Sequence, residues 1–277
     1  MSSIAHIIHP VIVKPPSDLI IAQPITFETM RIAREFAEGK AEVTLLATQY
    51  ADEERIPLPG CFTRVPDLTR SVADTKEFKE KRKLAMIKDL LDLVYEHSRA
   101  DYLVYTNVDI ALQPYFYTVV ADIIRQGYDA FVINRRSIPA TYTRPEEIPL
   151  MWAETGTKHP GFDCFVFHRN HYKNLVLGEI CIGTTKIGVT IITNLICRAE
   201  NFKLFEDLHL TFHIGEVREW EARRFNEYVE HNEKQALAIL TGLKTSHPHR
   251  FDTSPICQKH YNMLTQKYGG TTAGAKI

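Results

Sequence analysis

From residue 4 to residue 134, apolar runs rich in β-branched residues alternate with segments of helical period, and this order restricts the fold more than any other feature. Ile4 to Val13 has the composition of a buried strand, and Lys14-Pro15-Pro16-Ser17-Asp18 after it that of a loop. Thr26 is placed to cap a helix in which Phe27, Met30, Ala33 and Ala37 recur three or four apart until Gly39 stops it. Glu42 to Thr48 reads as the second strand. Asp74 to Ser98 reads as a long helix with Leu84, Ile87, Leu91 and Val94 on one stripe. Asp101 to Thr106 is a short strand, Pro114 opens a helix that ends at Gly127, and Asp129 to Asn134 resumes as strand. Such alternation predicts an α/β fold, a mainly parallel sheet flanked by helices, whose ligands bind beyond the carboxyl ends of the strands.

The second half is less regular. Gly161 to His168 alternates as a strand, Thr184 to Arg198 reads as a helix, Lys203 to Ile214 ends in another strand, and Glu219 to Leu243 is helical. The expected organisation is a single domain over 1–268, with 1–134 as nucleotide-binding half, 135–215 as acceptor and metal half, 216–268 as C-terminal helices, and 269–277 as a flexible small-residue tail.

Composition narrows the function classes. With 33 Lys and Arg against 34 Asp and Glu, the formal net charge of -1 gives no global field to recruit nucleic acid or an anionic membrane, so an anion site has to be local. The five cysteines make no CxxC pair and are odd in number, which suits a reduced, cytoplasmic setting. No window is apolar enough for a membrane span, so no integral membrane contact is expected. His168 with His171, and His247 with His249, lack the spacing of a zinc site and read as structural. Gly183-Thr184-Thr185-Lys186 has no phosphate loop upstream, and no GxSxG elbow occurs.

The stretch with most chemical content is Tyr105-Thr106-Asn107-Val108-Asp109-Ile110, an apolar strand running into two oxygen-bearing side chains two residues apart. On an extended chain, residues 107 and 109 point the same way, and a carboxylate beside an amide oxygen suits a hard divalent cation able to hold a diphosphate. An Asx turn ending the strand is the plain structural alternative. Leu210-Thr-Phe-His213-Ile-Gly215 delivers a histidine just before a glycine. Imidazole bonds Mn²⁺ well, and Gly215 allows close backbone approach to a phosphate. Trp152, Glu154, His159, Gly161 and Asp163 cluster around a turn into a strand, a mixture that suits carbohydrate: rings stack on a sugar face and carboxylates accept hydrogen bonds from its hydroxyls.

On Asn107-Val108-Asp109 and His213, the chain resembles a glycosyltransferase of the GT-A type, the Rossmann-like nucleotide-diphospho-sugar transferase superfamily. In that family a DxD motif ends a central strand and binds Mn²⁺ or Mg²⁺ together with the sugar-nucleotide phosphates. Asp109 matches the second Asp, Asn107 stands in place of the first and makes one ligand neutral, and His213 matches a C-terminal metal ligand. The resemblance spans roughly residues 4 to 215. It implies that Ala22, Gln23 and Pro24, taken as lying just before the Thr26 helix, line the nucleotide pocket. Within Lys79-Glu-Lys81-Arg82-Lys83, it makes Arg82 or Lys83 a donor or acceptor contact, with Arg135 a second such candidate. It places Trp152 and His159 near the acceptor, and for an inverting enzyme makes Asp163, or else Glu154, the general base.

The expected function is therefore transfer of a sugar from a UDP- or GDP-linked donor to a carbohydrate or other hydroxyl acceptor, with the cation on Asp109, His213 and Asn107. Two alternatives stay open. One is a noncatalytic nucleotide- or glycan-binding domain of the same fold, favoured by Asn107. The other is a sugar-phosphate nucleotidyltransferase, disfavoured because Lys14 to Asp18 contains no glycine.

Overall fold

The computed structural model describes residues 1–216 and 223–269. Its strands are β1 (Ser2–Ile8), β2 (Ala41–Ala47), β3 (Phe62–Arg64), β4 (Tyr102–Thr106), β5 (Ala111–Leu112), β6 (Ala130–Ile133), β7 (Arg136–Ile138), β8 (Thr157–Lys158), β9 (Cys164–His168), β10 (Phe202–Phe205) and β11 (Thr211–Ile214). Its helices are α1 (Leu19–Phe36), α2 (Ile87–His97), α3 (Phe116–Arg125), α4 (Ile148–Ala153), α5 (Ile187–Arg198), α6 (Asn226–Ser246), α7 (Pro248–Asp252) and α8 (Pro255–Tyr268).

The chain forms two compact units. The first comprises Met1–Thr69, Asp89–Tyr172 and the stretch from Glu200 through β11. The second comprises Arg70–Lys88, Lys173–Ala199 and the described C-terminal helices. The first unit holds a seven-stranded sheet in the order β10-β6-β9-β4-β1-β2-β3. Every pairing in it is parallel except those of β9, which runs antiparallel between β4 and β6. The expected α/β architecture with a mainly parallel sheet is thus what forms. A second sheet, β5-β11-β7-β8, lies in the same unit.

The core follows from the strand sequences. Ile4, Ile8, Val104, Phe131, Ile133 and Val166 are buried with Phe27, Met30 and Ala33 of α1 and Phe116, Tyr117 and Val120 of α3. Strands buried on both faces read as nearly continuous apolar runs, which is why β1, β4 and β6 stand out in the sequence. In the second unit, Asn232 of α6 donates to the carbonyls of Cys181 and Thr185 and accepts from the Cys181 amide, fixing the loop before α5.

Several boundaries differ from expectation. β1 stops at Ile8, because Pro10 carries no N–H and the Val11 backbone is bonded by the Gln23 side-chain amide where a neighbouring strand would otherwise pair. α1 begins at Leu19 with Asp18 at its N-cap, so Pro24, its sixth residue, and Thr26 both lie inside the helix. The 74–98 helix is confined to Ile87–His97, and residues 79–83 are irregular, so their basic run is not on a helix. Pro114 precedes α3, which starts at Phe116 behind Tyr115. The expected tail lies outside the described residues apart from Gly269, and so do residues 219–222 of the expected Glu219 helix.

Candidate active site

Register brings four segments to one sheet edge. Cys164, the first residue of β9, pairs with both Thr106 at the end of β4 and Ile133 at the end of β6. Asp163 therefore enters the sheet beside the chain leaving β4 toward Asn107 and the chain leaving β6 toward Arg135. β7 continues from Arg135, and its Ser137 pairs with His213 of β11. An antiparallel strand between parallel ones thus sets a carboxylate at its own amino end against the carboxyl ends of its neighbours.

Past Thr106 the chain does not stay extended. The Ile110 amide donates to the Asn107 carbonyl at 3.2 Å, closing a turn over Val108 and Asp109. Residues 107 and 109 therefore do not project side by side, which corrects the extended-chain expectation. Asn107 turns its side-chain oxygen to the Tyr105 hydroxyl, which donates to it at 2.7 Å. Asp109 instead meets His213, with Oδ2 3.2 Å from Nε2. The other Asp109 oxygen, Oδ1, is buried without a hydrogen-bond partner.

His213 is held in one orientation. Its Nδ1 lies 2.9 Å from the Gly215 carbonyl, which can only accept, so Nδ1 donates to it, and Nε2 bonds the Asp109 carboxylate only when it too carries a proton. Gly215 achieves this with φ +72°, and its amide donates to the Ile138 carbonyl. An added Cβ there would stand 3.1 Å from the Ala140 side chain. Gly215 is thus a backbone support for His213.

The charges set one another. Burial pushes the Asp109 carboxyl up, but the His213 hydrogen bond and charge, with Arg135 assisting, outweigh it and hold the group below its ordinary value. Burial pushes His213 down, while the bond and charge of Asp109 and the Gly215 carbonyl outweigh that and leave it raised. Asp163 is different: its Oδ1 accepts from Arg135 Nη1 at 3.2 Å, yet desolvation dominates over the charges of Arg135 and His159, and its carboxyl is raised. Oδ2 of Asp163, Nε of Arg135, Oδ1 of Asn134 and Oγ of Ser137 are all buried without a partner. Several unsatisfied donors and acceptors so close along the sequence are expensive for a fold that needs them only for stability.

His159 completes the group. Its amide donates to the Arg135 carbonyl, and a Cβ built on Gly161 would stand 2.6 Å from its Nε2 and 3.6 Å from Asp163 Oδ2. The bare face of Gly161 therefore lets the imidazole lie over the turn that leads to Asp163.

The remaining sequence candidates are placed as follows. Glu154 accepts from the Tyr142 hydroxyl at 2.5 Å, and the Trp152 indole donates to the Leu112 carbonyl at 3.0 Å with its ring against the Ile148 and Met151 cluster. Arg136, next to Arg135, binds the Thr155 and Gly156 carbonyls and pairs with Asp207. Ala22 is buried in α1. Gln23 and Pro24 line a cavity of about 570 Å³ with Val13, Phe27, Leu58 and Pro145, mostly apolar and formed by the chain after β1, α1 and the β2–β3 loop. They do so from within α1 and not from ahead of a Thr26-capped helix. Arg82 and Lys83 belong to the second unit, where the Arg82 amide donates to Tyr228 and its guanidinium lies 4.5 Å from the Phe225 ring.

Tyr105 is the site residue that the sequence reading missed. The two-residue strand period, applied one step earlier, relates Tyr105 to Asn107 and would have found it. Among the described residues no group of three or more His, Cys, Asp or Glu is arranged to enclose a metal ion. What exists is a pair, Asp109 and His213, with one carboxylate oxygen unpartnered and the imidazole tautomer fixed. Those features fit a cation that takes its remaining ligands from a bound phosphate or water.

No family model matches the sequence, and no curated protein matches it. Among solved structures, the chain is similar to TarS 1-349 of S. aureus in complex with UDP, with a TM-score of 0.51 and 7% identity over 100% of this chain and 76% of that one. It is also similar to the mannosyltransferase PcManGT from Pyrobaculum calidifontis in complex with GDP-Man and Mn2+, with a TM-score of 0.50 and 12% identity over 99% of this chain and 76% of that one. At such identities the likeness establishes the fold, which is of the GT-A glycosyltransferase type.

Proposed function

We propose that this chain transfers a glycosyl group from a nucleoside-diphosphate sugar to an acceptor hydroxyl, using a divalent cation, Mn²⁺ or Mg²⁺, at Asp109 and His213. The observation that carries the reading is their meeting at the carboxyl edge of β4 in a GT-A fold, with Asp109 Oδ1 left unpartnered. A cation held by these two residues would supply positive charge to the departing diphosphate. Solved neighbours in complex with UDP and with GDP-Man and Mn2+ support a nucleotide-sugar partner and leave the base open.

The chain's own residues have separable tasks. Asp109 and His213 hold the charge end of the donor site, with the Gly215 carbonyl fixing the imidazole. Asp163 is the group for an acceptor proton: its raised carboxyl moves its basicity toward neutral pH, Arg135 tethers Oδ1, and Oδ2 is unpartnered. His159 over Gly161 flanks that oxygen and is the acceptor-side contact. Gln23 and Pro24, in the wall of the cavity beyond β1, are donor-side contacts. Asn107 carries no ligand role in this reading, since its oxygen is engaged by Tyr105.

The test is calorimetric titration with UDP and with GDP, each with and without Mn²⁺, on the native chain and on Asp109→Ala. Manganese-dependent binding that the variant loses supports the reading. A noncatalytic domain of the same fold is the second reading, favoured by the neutral Asn107 and by a two-residue ligand set. It expects nucleotide binding, if any, to be indifferent to Mn²⁺. Among the described residues no helix is long and apolar enough to cross a membrane. All five cysteines are free thiols, in keeping with a reducing compartment.

A further inference from the structure

Asn107 occupies the position where a metal-binding acid is expected, yet its environment is that of a brace. Tyr105 lies in β4 and Asn107 just beyond its end, and their side chains meet there. The Tyr105 ring is fully enclosed, paired across β4 and β9 with Phe165 and lying nearly parallel to it at 6.3 Å between centroids. That packing fixes where its hydroxyl can be, and the hydroxyl donates to Asn107 Oδ1 at 2.7 Å. The carbonyl of the same asparagine receives the Ile110 amide and closes the turn that carries Asp109. On the other side of Thr106, His6 Nε2 lies 2.9 Å from the threonine hydroxyl, so the strand end is held on both flanks of the turn's origin.

We infer that Tyr105 and Asn107 form a clamp that positions Asp109, and that Asn107 is a positioning residue and not a metal ligand. The role of Asp109 that the clamp serves rests on the glycosyltransferase reading; the clamp itself does not. An asparagine suits this task because its amide oxygen accepts the hydroxyl without adding a second negative charge beside the buried Asp109 carboxylate. The clamp also explains why one aspartate and one histidine stand as a pair: the turn that Asn107 closes directs Asp109 to β11 and away from residue 107.

The two roles give opposite results in Tyr105→Phe, which removes one oxygen and leaves Asn107 in place. If Asn107 were a ligand, losing the competing hydroxyl would leave or strengthen metal binding, and only Asn107→Ala would weaken it. If the pair is a clamp, each variant releases the same turn. The experiment measures Ile110 amide hydrogen exchange in the metal-free protein, and UDP and GDP affinity with and without Mn²⁺, on Tyr105→Phe, Asn107→Ala and the double variant. The expected result is exchange faster by about five- to tenfold in each single variant, the loss of one buried hydrogen bond, with the double no faster than either. The manganese-dependent gain in nucleotide affinity falls by the same factor in all three, while metal-free affinity is unchanged.

Unchanged Ile110 exchange in Tyr105→Phe overturns the clamp, and so does a gain in metal-dependent affinity in that variant alongside a loss in Asn107→Ala. Should Tyr105→Phe not fold, Asn107→Ala carries the exchange test alone. Should the native chain bind no nucleotide with or without metal, the proposed function fails while the exchange result still decides the clamp.

Discussion

His213 Nε2 and Asp109 Oδ2 stand 3.2 Å apart although 104 residues separate them in the chain. The contact exists because β11 pairs antiparallel with β5, Phe212 opposite Ala111, so His213 comes back alongside the chain that has just left Asp109. A pair of ligands this small binds a free cation weakly, since most coordination positions remain for water. Mn²⁺ alone should therefore bind in the millimolar range, and its apparent affinity should rise by about a hundredfold or more in the presence of the diphosphate that shares it. Mn²⁺ titration followed by electron paramagnetic resonance, with and without UDP or GDP, checks this. Equal affinity in both conditions contradicts it.

Breaking the Arg135 to Asp163 pair should be costly at neutral pH. Both side chains are buried, at 8% and 10% exposure, so Arg135→Ala leaves a carboxylate without its cation and should destabilise by about 3 kcal/mol at pH 7. The loss should shrink toward pH 5. Asp163 is already raised by burial, and without Arg135 it is raised further, so the folded variant binds a proton that the unfolded chain releases. Its stability then falls as pH rises through that raised value. Urea unfolding at pH 5 and pH 8 measures both effects, and equal losses at the two pH values would contradict the assignment.

His6 should contribute acid sensitivity of its own. It is fully buried between the Tyr117 and Thr106 hydroxyls, and burial holds its pKa down at about 3. Below about pH 6.5 the unfolded chain takes up a proton that the folded chain refuses. Stability is therefore fully present above that pH and declines by roughly 1.4 kcal/mol per unit as pH falls toward 3. Comparing native and His6→Gln unfolding free energies across pH 4 to 7 isolates the slope, and parallel curves would show that His6 does not carry it.

Gly161→Ala should separate acceptor from donor. The new Cβ stands 2.6 Å from His159 Nε2, the end of a side chain that can swing away, so the fold should survive while the imidazole is displaced. The acceptor KM should rise by about tenfold or more, as for misplacing a substrate-positioning group, with donor affinity unchanged. A matched rise in donor Kd would place this turn on the donor side.

How far the sequence revealed this site depends on which forces set each part. The strands β1, β4 and β6 are legible because burial on both faces makes them nearly continuous apolar runs, and Asp109 and His213 are legible because each closes an apolar run. Asp163 and Arg135 were named as candidates, but their pairing depends on β9 lying antiparallel between β4 and β6, which no local pattern encodes. Thr26 reads as the cap of α1, but the helix starts at Leu19 behind Asp18 and takes both Pro24 and Thr26 inside it. The 74–98 helix was overextended for a related reason: Leu84 fits the stripe, but residues 79–83 are irregular and Arg82 and Glu80 bond Tyr228. The side-by-side placing of residues 107 and 109 does not hold, because the chain turns between them and the strand period ends at Thr106.

The most direct measurement remains titration of the nucleoside diphosphates against native protein and Asp109→Ala with Mn²⁺ present and absent. Mn²⁺ should strengthen binding of UDP or GDP to the native chain, and Asp109→Ala should abolish this gain while leaving metal-free binding as it was. Nucleotide binding that ignores both the metal and the substitution would contradict it.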